Sequence, residues 1–123
     1  MSAKRLSTIR VEKPWGRMKL WPGFDDPAPG AAPVGEIWFD DPDGAALPLM
    51  VKYLFTSERL SIQVHPNDEE AKARGYPCGK DEAWVVLAAE PDSTIALGTT
   101  RPLSGDDLRA AALDGSIETL MHW

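Results

Sequence analysis

The sequence predicts a mostly β fold with short helical insertions, and three observations carry this prediction. Along residues 59–66, apolar and polar residues alternate with the two-residue period of a strand. Residues 47–55 form a nearly continuous apolar run, as expected of a strand buried on both faces. Residues 83–89 and 93–98 favour two paired strands, because Glu90-Pro91-Asp92 between them is typical of a hairpin connection.

Two shorter strands are predicted in the first third of the chain. Residues 5–12 are rich in β-branched side chains, and Pro14-Trp15-Gly16 is expected to interrupt that strand. Residues 35–39 predict another strand, ended by a turn sequence. Residues 20–34 contain four prolines and two glycines, so this segment should be irregular. A linker between domains is the alternative, but too little chain precedes it to form a domain.

Three helical segments complete the predicted fold. Asn67 can cap a short helix with Glu70 three positions later, and the charges of this segment indicate a solvated helix face rather than a site. Ser104 with Asp107 resembles a capping box before a second helix. A third helix is predicted over residues 117–123, after Ser116.

Composition bounds the classes of function. The 123 residues suit a single domain, and 43% hydrophobic with 26% charged residues separate the chain from disordered and membrane proteins. Thirteen basic and nineteen acidic residues give a net charge of -6, which argues against nucleic acid as a partner. Cys78 is the only cysteine, so an internal disulfide is excluded. Because no apolar run reaches the roughly 18 residues of a membrane helix, a cytoplasmic protein without a membrane partner is expected.

Polar side chains of two predicted strands form the candidate site. Ser61, Gln63 and His65 share one strand face, which places Gln63 and His65 roughly 6 to 7 Å apart at the Cα atoms. Lys80 and Glu82 share one face of the second strand. One imidazole nitrogen and two oxygens suit zinc, or manganese and iron less selectively. Considered alone, a histidine such as His65 is more often a hydrogen-bonded structural residue than a ligand. The alternative for Lys80 is an exposed lysine paired with Asp81.

Two motifs carry a family resemblance. The pattern L-S-I-Q-V-H-P-N-D at residues 60–68, followed by G-K-D-E-A-W at residues 79–84, resembles the type I mannose-6-phosphate isomerases, or phosphomannose isomerases, of the cupin superfamily. The resemblance spans about residues 11–120. It implies a single cupin-like domain over residues 1–123, the first part of an antiparallel barrel or jelly roll that lacks the C-terminal part of the family fold. The G-E-I-W element resembles a family element on the substrate side, although Ile37 replaces a frequent Ser.

The resemblance also implies roles for the site residues. It implies Gln63, His65 and Glu82 as zinc ligands, and Ser61 and Lys80 as ligands of the substrate phosphate. The family's fourth ligand is a histidine much later in the chain, and this sequence offers no match for it. His122 is the only other histidine; on a terminal helix it is expected to be exposed or lightly packed rather than a replacement ligand.

The implied reaction interconverts mannose 6-phosphate and fructose 6-phosphate. A proton moves between two carbons through a cis-enediolate, whose negative charge a metal ion can stabilise. The catalytic base is not identified, and Trp15, Trp38 and Trp84 are expected in the core rather than in catalysis. The alternative function is a non-catalytic cupin module that binds a metal ion or a sugar phosphate. A jelly roll cut short exposes strand edges, so a homodimer or strand exchange is expected.

Overall fold

The structure is a computed structural model that describes residues 3–123. The chain divides into two compact units, Met1–Ser61 and Ile62–Trp123. Over the described residues it contains one three-stranded antiparallel sheet and three short helices, which confirms the predicted antiparallel sheet with short helices. This sheet is open, so a closed barrel is not seen in the described part of the chain. None of the helices described there is long and apolar enough to cross a membrane.

The sheet lies in the first unit. Its strands are β1 (Ser7–Arg17), β2 (Val34–Asp40) and β3 (Val51–Leu54), with β2 in the centre. The predicted interruption of the first strand at Pro14 is wrong, because β1 continues to Arg17. The pairing with β2 shifts register on both sides of Glu12, which is the signature of a bulge. Since β1 is an edge strand, Pro14 can lie in it without removing a bond that a second neighbour needs.

Two glycines let β1 and β2 approach closely at this irregularity. A Cβ atom added to Gly16 would lie 2.5 Å from the carbonyl carbon of Val34. A Cβ atom on Gly35 would lie equally close, at 2.5 Å, to the Cβ of Lys13. Both distances are far inside van der Waals contact, so a side chain at either position would push the two strands apart.

The core of the first unit packs the irregular segment against the sheet. Its buried side chains are Leu20, Val34, Ile37 and Phe55, with Phe24 and Tyr53 packed against them. The rings of Phe24 and Tyr53 meet edge to face, with centroids 5.1 Å apart. The segment is therefore irregular as predicted up to Pro33, and its side chains Leu20 and Phe24 belong to the core of this unit.

The second unit contains the helices α1 (Asp68–Ala73), α2 (Gly105–Asp114) and α3 (Ile117–Leu120). Both predicted capping boxes are present, at Asn67 with Glu70 and at Ser104 with Asp107. Ser116 makes no side-chain cap because its backbone is already helical, with φ −76° and ψ −6°.

The predicted extension of the third helix to Trp123 is wrong. Helix α3 ends at Leu120, and Met121 forms an antiparallel bridge with Thr99. The backbone N–H of Leu97 donates to the carbonyl of His122 at 2.8 Å, and the N–H of His122 donates to Gly98 at 3.0 Å. The backbone N–H and C=O groups of His122 are therefore bonded to residues 97 and 98, so they do not take part in a longer helix.

The strands predicted at residues 59–66, 83–89 and 93–98 are absent from the part of the chain that the structure describes. Only the connection between the last two is formed, as a turn in which Ser93 N–H donates to the Glu90 carbonyl at 3.2 Å. Alternation predicts which side chains share a face, but a strand also needs a neighbouring backbone for its hydrogen bonds. Without such a neighbour, Val64 and Val85 are 82% and 83% exposed.

The strand predicted from the apolar run at residues 47–55 is shorter than expected. It begins at Val51, and Leu49 and Met50 before it are exposed. Since β3 has only β2 as its neighbour in the described sheet, it is an edge strand rather than one buried on both faces.

Candidate functional site

Three residues that the sequence singles out lie together in the second unit. The imidazole Nε2 of His65 is 2.9 Å from Oε2 of Glu82. The ammonium Nζ of Lys80 is 3.4 Å from Oε1 of the same carboxylate. The side chains of His65 and Glu82 are 24% and 26% exposed, so the pair is accessible yet partly shielded from water. Glu82 therefore stands between an imidazole and a cation, and Lys80 is paired with Glu82 rather than with Asp81 as the alternative proposed.

The surroundings of Glu82 favour its ionised form. The hydrogen bond with His65 is the largest cause that lowers the pKa of this carboxyl. The hydrogen bond with Trp84 and the positive charge of Lys80 lower the pKa further, whereas burial opposes them. Since the ordinary value is 4.5, Glu82 is a carboxylate at neutral pH and can serve as an anionic ligand.

Backbone bonds dock the segment that carries Lys80 and Glu82 against the residues that follow His65. The N–H of Gly79 donates to Oδ1 of Asp68 at 2.9 Å. The N–H of Lys80 donates to the carbonyl of Pro66 at 3.2 Å. The site is therefore assembled by local hydrogen bonds in the described residues, and not by the strand ladder that the sequence predicts.

The remaining predicted site residues are placed as follows. Gln63 is exposed and lies near the start of the second unit, two residues before His65. Ser61 is exposed and is the last residue of the first unit. His122 is exposed, as the sequence predicts, although it lies beyond α3 rather than on a helix.

His65 and Glu82 have donor atoms of the types that bind zinc, an imidazole nitrogen and a carboxylate oxygen. Two donor atoms that share a tetrahedral zinc ion are about 3.3 to 3.6 Å apart, because each bond is about 2.0 to 2.2 Å long. The observed 2.9 Å is a hydrogen-bond distance, so the two atoms would have to move slightly apart to bind one ion. Within residues 3–123, no group of three or more His, Cys, Asp or Glu side chains could hold a metal ion. A site here therefore needs a further donor of another type, and the amide oxygen of Gln63 is of that type.

A second polar cluster, which the sequence reasoning missed, lies in the first unit. Glu36 is buried on β2 and accepts a hydrogen bond from the indole Nε1 of Trp38. Its Oε2 is 3.3 Å from Nζ of Lys52, which lies opposite Trp38 on β3. A signal was present in the sequence, since Lys52 is the only charged residue in the apolar run 47–55. A charge in such a strand requires an opposite charge nearby, because an unpaired buried charge is costly.

Comparisons with known proteins match the same part of the chain. The family model for the catalytic domain of type I phosphomannose isomerases matches residues 31–105, which include Gln63, His65 and Glu82. A probable mannose-6-phosphate isomerase GmuF of Bacillus subtilis (strain 168) is 41% identical over 72 residues, which are 53% of this chain and 23% of that protein. The mannose-6-phosphate isomerase ManA of the same strain is 35% identical over 72 residues, with the same coverage of 53% and 23%.

A mannose-6-phosphate isomerase of Streptococcus mutans serotype c (strain ATCC 700610 / UA159) is 30% identical over 83 residues, 68% of this chain and 26% of that protein. The matches thus span about a quarter of the length of these curated relatives. No solved structure matches the chain. The family model covers more than half of the sequence, and both motifs lie wholly inside the matched range. This chain therefore belongs to the family of type I phosphomannose isomerase catalytic domains.

Proposed function

We propose that this chain supplies the metal-binding and phosphate-binding part of an enzyme that interconverts mannose 6-phosphate and fructose 6-phosphate. The observation that carries the proposal is that His65 and Lys80 both contact the carboxylate of Glu82. Family membership and the names of the relatives support the reaction. In the proposal, Gln63, His65 and Glu82 hold one divalent ion, for which zinc suits the mixture of one nitrogen and two oxygen donors.

The residues of this chain would act by binding and by placing charge. A bound zinc ion would supply Lewis-acid stabilisation of the negative charge that builds on two adjacent oxygens during isomerisation. Glu82 is ionised at neutral pH and needs no proton loss to bind such an ion. Lys80 is half exposed and has three N–H donors, so it can face a phosphate while it neutralises Glu82. Ser61 is assigned to the phosphate by the family motif.

The proposal includes a cupin-like fold in which residues 1–123 form one domain. The open edges of the three-stranded sheet and the exposed apolar side chains of the second unit support a fold with further strands. A second copy could supply them, so we propose a homodimer or strand exchange. Sedimentation at several concentrations tests this, since a monomer at every concentration would exclude it.

A cytoplasmic location is proposed because Cys78 is an exposed free thiol, which suits a reducing compartment.

The central experiment measures formation of fructose 6-phosphate from mannose 6-phosphate, with the zinc-loaded chain and with a metal-stripped control. Turnover that depends on zinc is the expected result. Zinc binding without turnover by the folded chain would instead favour the non-catalytic cupin module.

A matched pair of histidine variants separates a metal site from incidental binding. The change His65→Ala should weaken zinc binding by at least about tenfold, since it removes the nitrogen donor. The change His122→Ala removes the other histidine, which is exposed, and should leave zinc affinity unchanged. Equal affinities of the two variants would remove His65 from the site.

A further inference from the structure

The two loop segments that meet at the candidate site are joined by the carboxylate of Asp68, which is not one of the candidate ligands. Oδ1 of Asp68, the first residue of α1, accepts a hydrogen bond from the N–H of Gly79 at 2.9 Å. The next residue, Lys80, donates its N–H to the carbonyl of Pro66 at 3.2 Å. Two consecutive N–H groups are thus bound to the connection between His65 and the helix.

The contact at Gly79 is too close for any side chain. A Cβ atom there would lie 2.5 Å from the carbonyl oxygen of Pro66 and 2.6 Å from the carbonyl carbon of Asn67. It would also lie 2.8 Å from the backbone nitrogen of Asp68. These are backbone atoms, which cannot move aside as the end of a flexible side chain can. Glycine is therefore required for the approach that lets Asp68 reach the Gly79 N–H.

Asp68 is itself held by the start of the helix. The side chain of Asn67 accepts from the Glu70 N–H at 2.9 Å, and Glu70 accepts from the Asn67 N–H at 3.1 Å. This reciprocal capping fixes the backbone on either side of Asp68. Oδ2 of Asp68 lies 3.8 Å from Nζ of Lys72, one turn further along the helix. One carboxylate oxygen therefore faces the helix surface while the other is available to Gly79.

The geometry points to Asp68 as a positioning residue of the metal site, and this inference rests on the proposed function. His65 precedes Asp68 by three positions, and Glu82 follows Gly79 by three. The Asp68–Gly79 bond therefore sets the separation of the two short segments whose ends are the imidazole and the carboxylate, 2.9 Å apart. Asp68 does not touch either group in this arrangement of bonds; it determines where Glu82 and Lys80 stand relative to His65.

The test is the zinc affinity of the chain at pH 7, measured by competition with a chromogenic chelator. Asp68→Ala should weaken zinc binding about 10- to 100-fold, the usual effect of losing a group that orients a metal ligand. Asp68→Asn retains an oxygen acceptor at the same position, so most of the affinity should return. Glu69→Ala removes the neighbouring exposed carboxylate of the same helical turn and should leave affinity unchanged.

Two further variants separate positioning from general stability. Asp68→Glu retains the negative charge at the start of α1, which favours folding, but displaces the acceptor by one methylene. It should bind zinc more weakly than the unmodified chain while keeping the same circular dichroism spectrum. Lys72→Ala removes the partner of Oδ2 alone and should not change zinc affinity. Affinities of Asp68→Ala and Asp68→Glu equal to that of Glu69→Ala would overturn the inference.

Failure of the proposed function has a different outcome. If the unmodified chain, folded by circular dichroism, binds no zinc, then the metal site is wrong and the positioning role is overturned with it. If the unmodified chain binds zinc and His65→Ala does not, the site stands, and the Asp68 variants then decide the inference by themselves.

Discussion

Nε2 of His65 lies 2.9 Å from Oε2 of Glu82, across 17 positions of sequence and without a strand ladder between their segments in residues 3–123. The loop segments that carry the two residues are joined by hydrogen bonds from the N–H groups of Gly79 and Lys80. The hydrogen bond with His65 is the largest cause that lowers the pKa of Glu82. The carboxyl group is therefore ionised at neutral pH, and its negative charge lies beside the imidazole.

The change Glu82→Gln tests the importance of that charge. Glutamine has nearly the same shape but is neutral, so we expect zinc affinity to fall by at least about tenfold while the fold is retained. Asp81→Asn is the control, since it removes the adjacent exposed carboxylate. Titration with zinc compares the two variants, and equal affinities would show that Glu82 is not a ligand.

The change Lys80→Met tests the phosphate assignment. The hydrogen bonds of an ammonium to a phosphate contribute about 1.5 to 3 kcal/mol, so mannose 6-phosphate should bind at least about tenfold more weakly. The binding of unphosphorylated mannose should not change. Lys72→Met serves as a matched control on α1, outside the site. Equal loss for mannose and mannose 6-phosphate would indicate a structural role for Lys80.

The pair formed by Glu36 and Lys52 is expected to stabilise the first unit. Lys52→Met removes the partner of a buried carboxylate and should lower the free energy of unfolding by about 1 to 3 kcal/mol. The double variant Glu36→Gln with Lys52→Met leaves no buried charge and should lose less than the sum of the single changes. Urea unfolding of the single and double variants measures this coupling, and strictly additive losses would contradict it.

The capping box of α2 predicts a specific response to acid. The hydrogen bond from the Ser104 hydroxyl, followed by that from the Ser104 backbone N–H, lowers the pKa of Asp107 below its ordinary 3.8. A carboxyl group whose pKa is depressed by folding contributes stability above its unfolded pKa and loses it as the pH falls through the folded pKa. The loss should thus begin near pH 4 and continue below it.

Asp107→Asn removes the titrating group but keeps an oxygen acceptor. The variant should therefore lose less stability between pH 5 and pH 2 than the unmodified chain, as followed by thermal unfolding. Ser104→Ala removes the main cause of the lowered pKa and should flatten the acid response as well. An unchanged acid response in both variants would rule out this linkage.

Local rules predicted the features whose partners are close in sequence. The capping boxes at Asn67 and Ser104 and the turn after Glu90 each depend on groups only three residues apart. The association of His65 with Glu82 was predicted as a shared site, although the structure joins them by loop bonds. A motif can thus indicate which residues lie together even where the predicted secondary structure around them is wrong.

The errors concern features that depend on a distant neighbour. Whether residues 59–66 form a strand depends on a second backbone, which periodicity does not specify. Continuation of β1 through Pro14 depends on its place at the sheet edge and on room beside Gly16. The end of α3 at Leu120 depends on the bridge between Thr99 and Met121. The ion pair of Glu36 with Lys52 likewise depends on the register between β2 and β3, which cannot be read from the distance between the two residues in the sequence.

The small buried core determines how the chain responds to heat. Among residues 3–123, the hydrophobic side chains that are buried are Leu20, Val34, Ile37, Phe55, Ala71 and Ala111. The heat capacity change of unfolding comes mainly from apolar surface newly exposed to water, and many large apolar side chains of this chain are already exposed. Its heat capacity change should therefore fall below the usual value of about 12 to 15 cal/mol/K per residue. Calorimetry would then record a broad, shallow transition and a stability curve that is nearly flat with temperature.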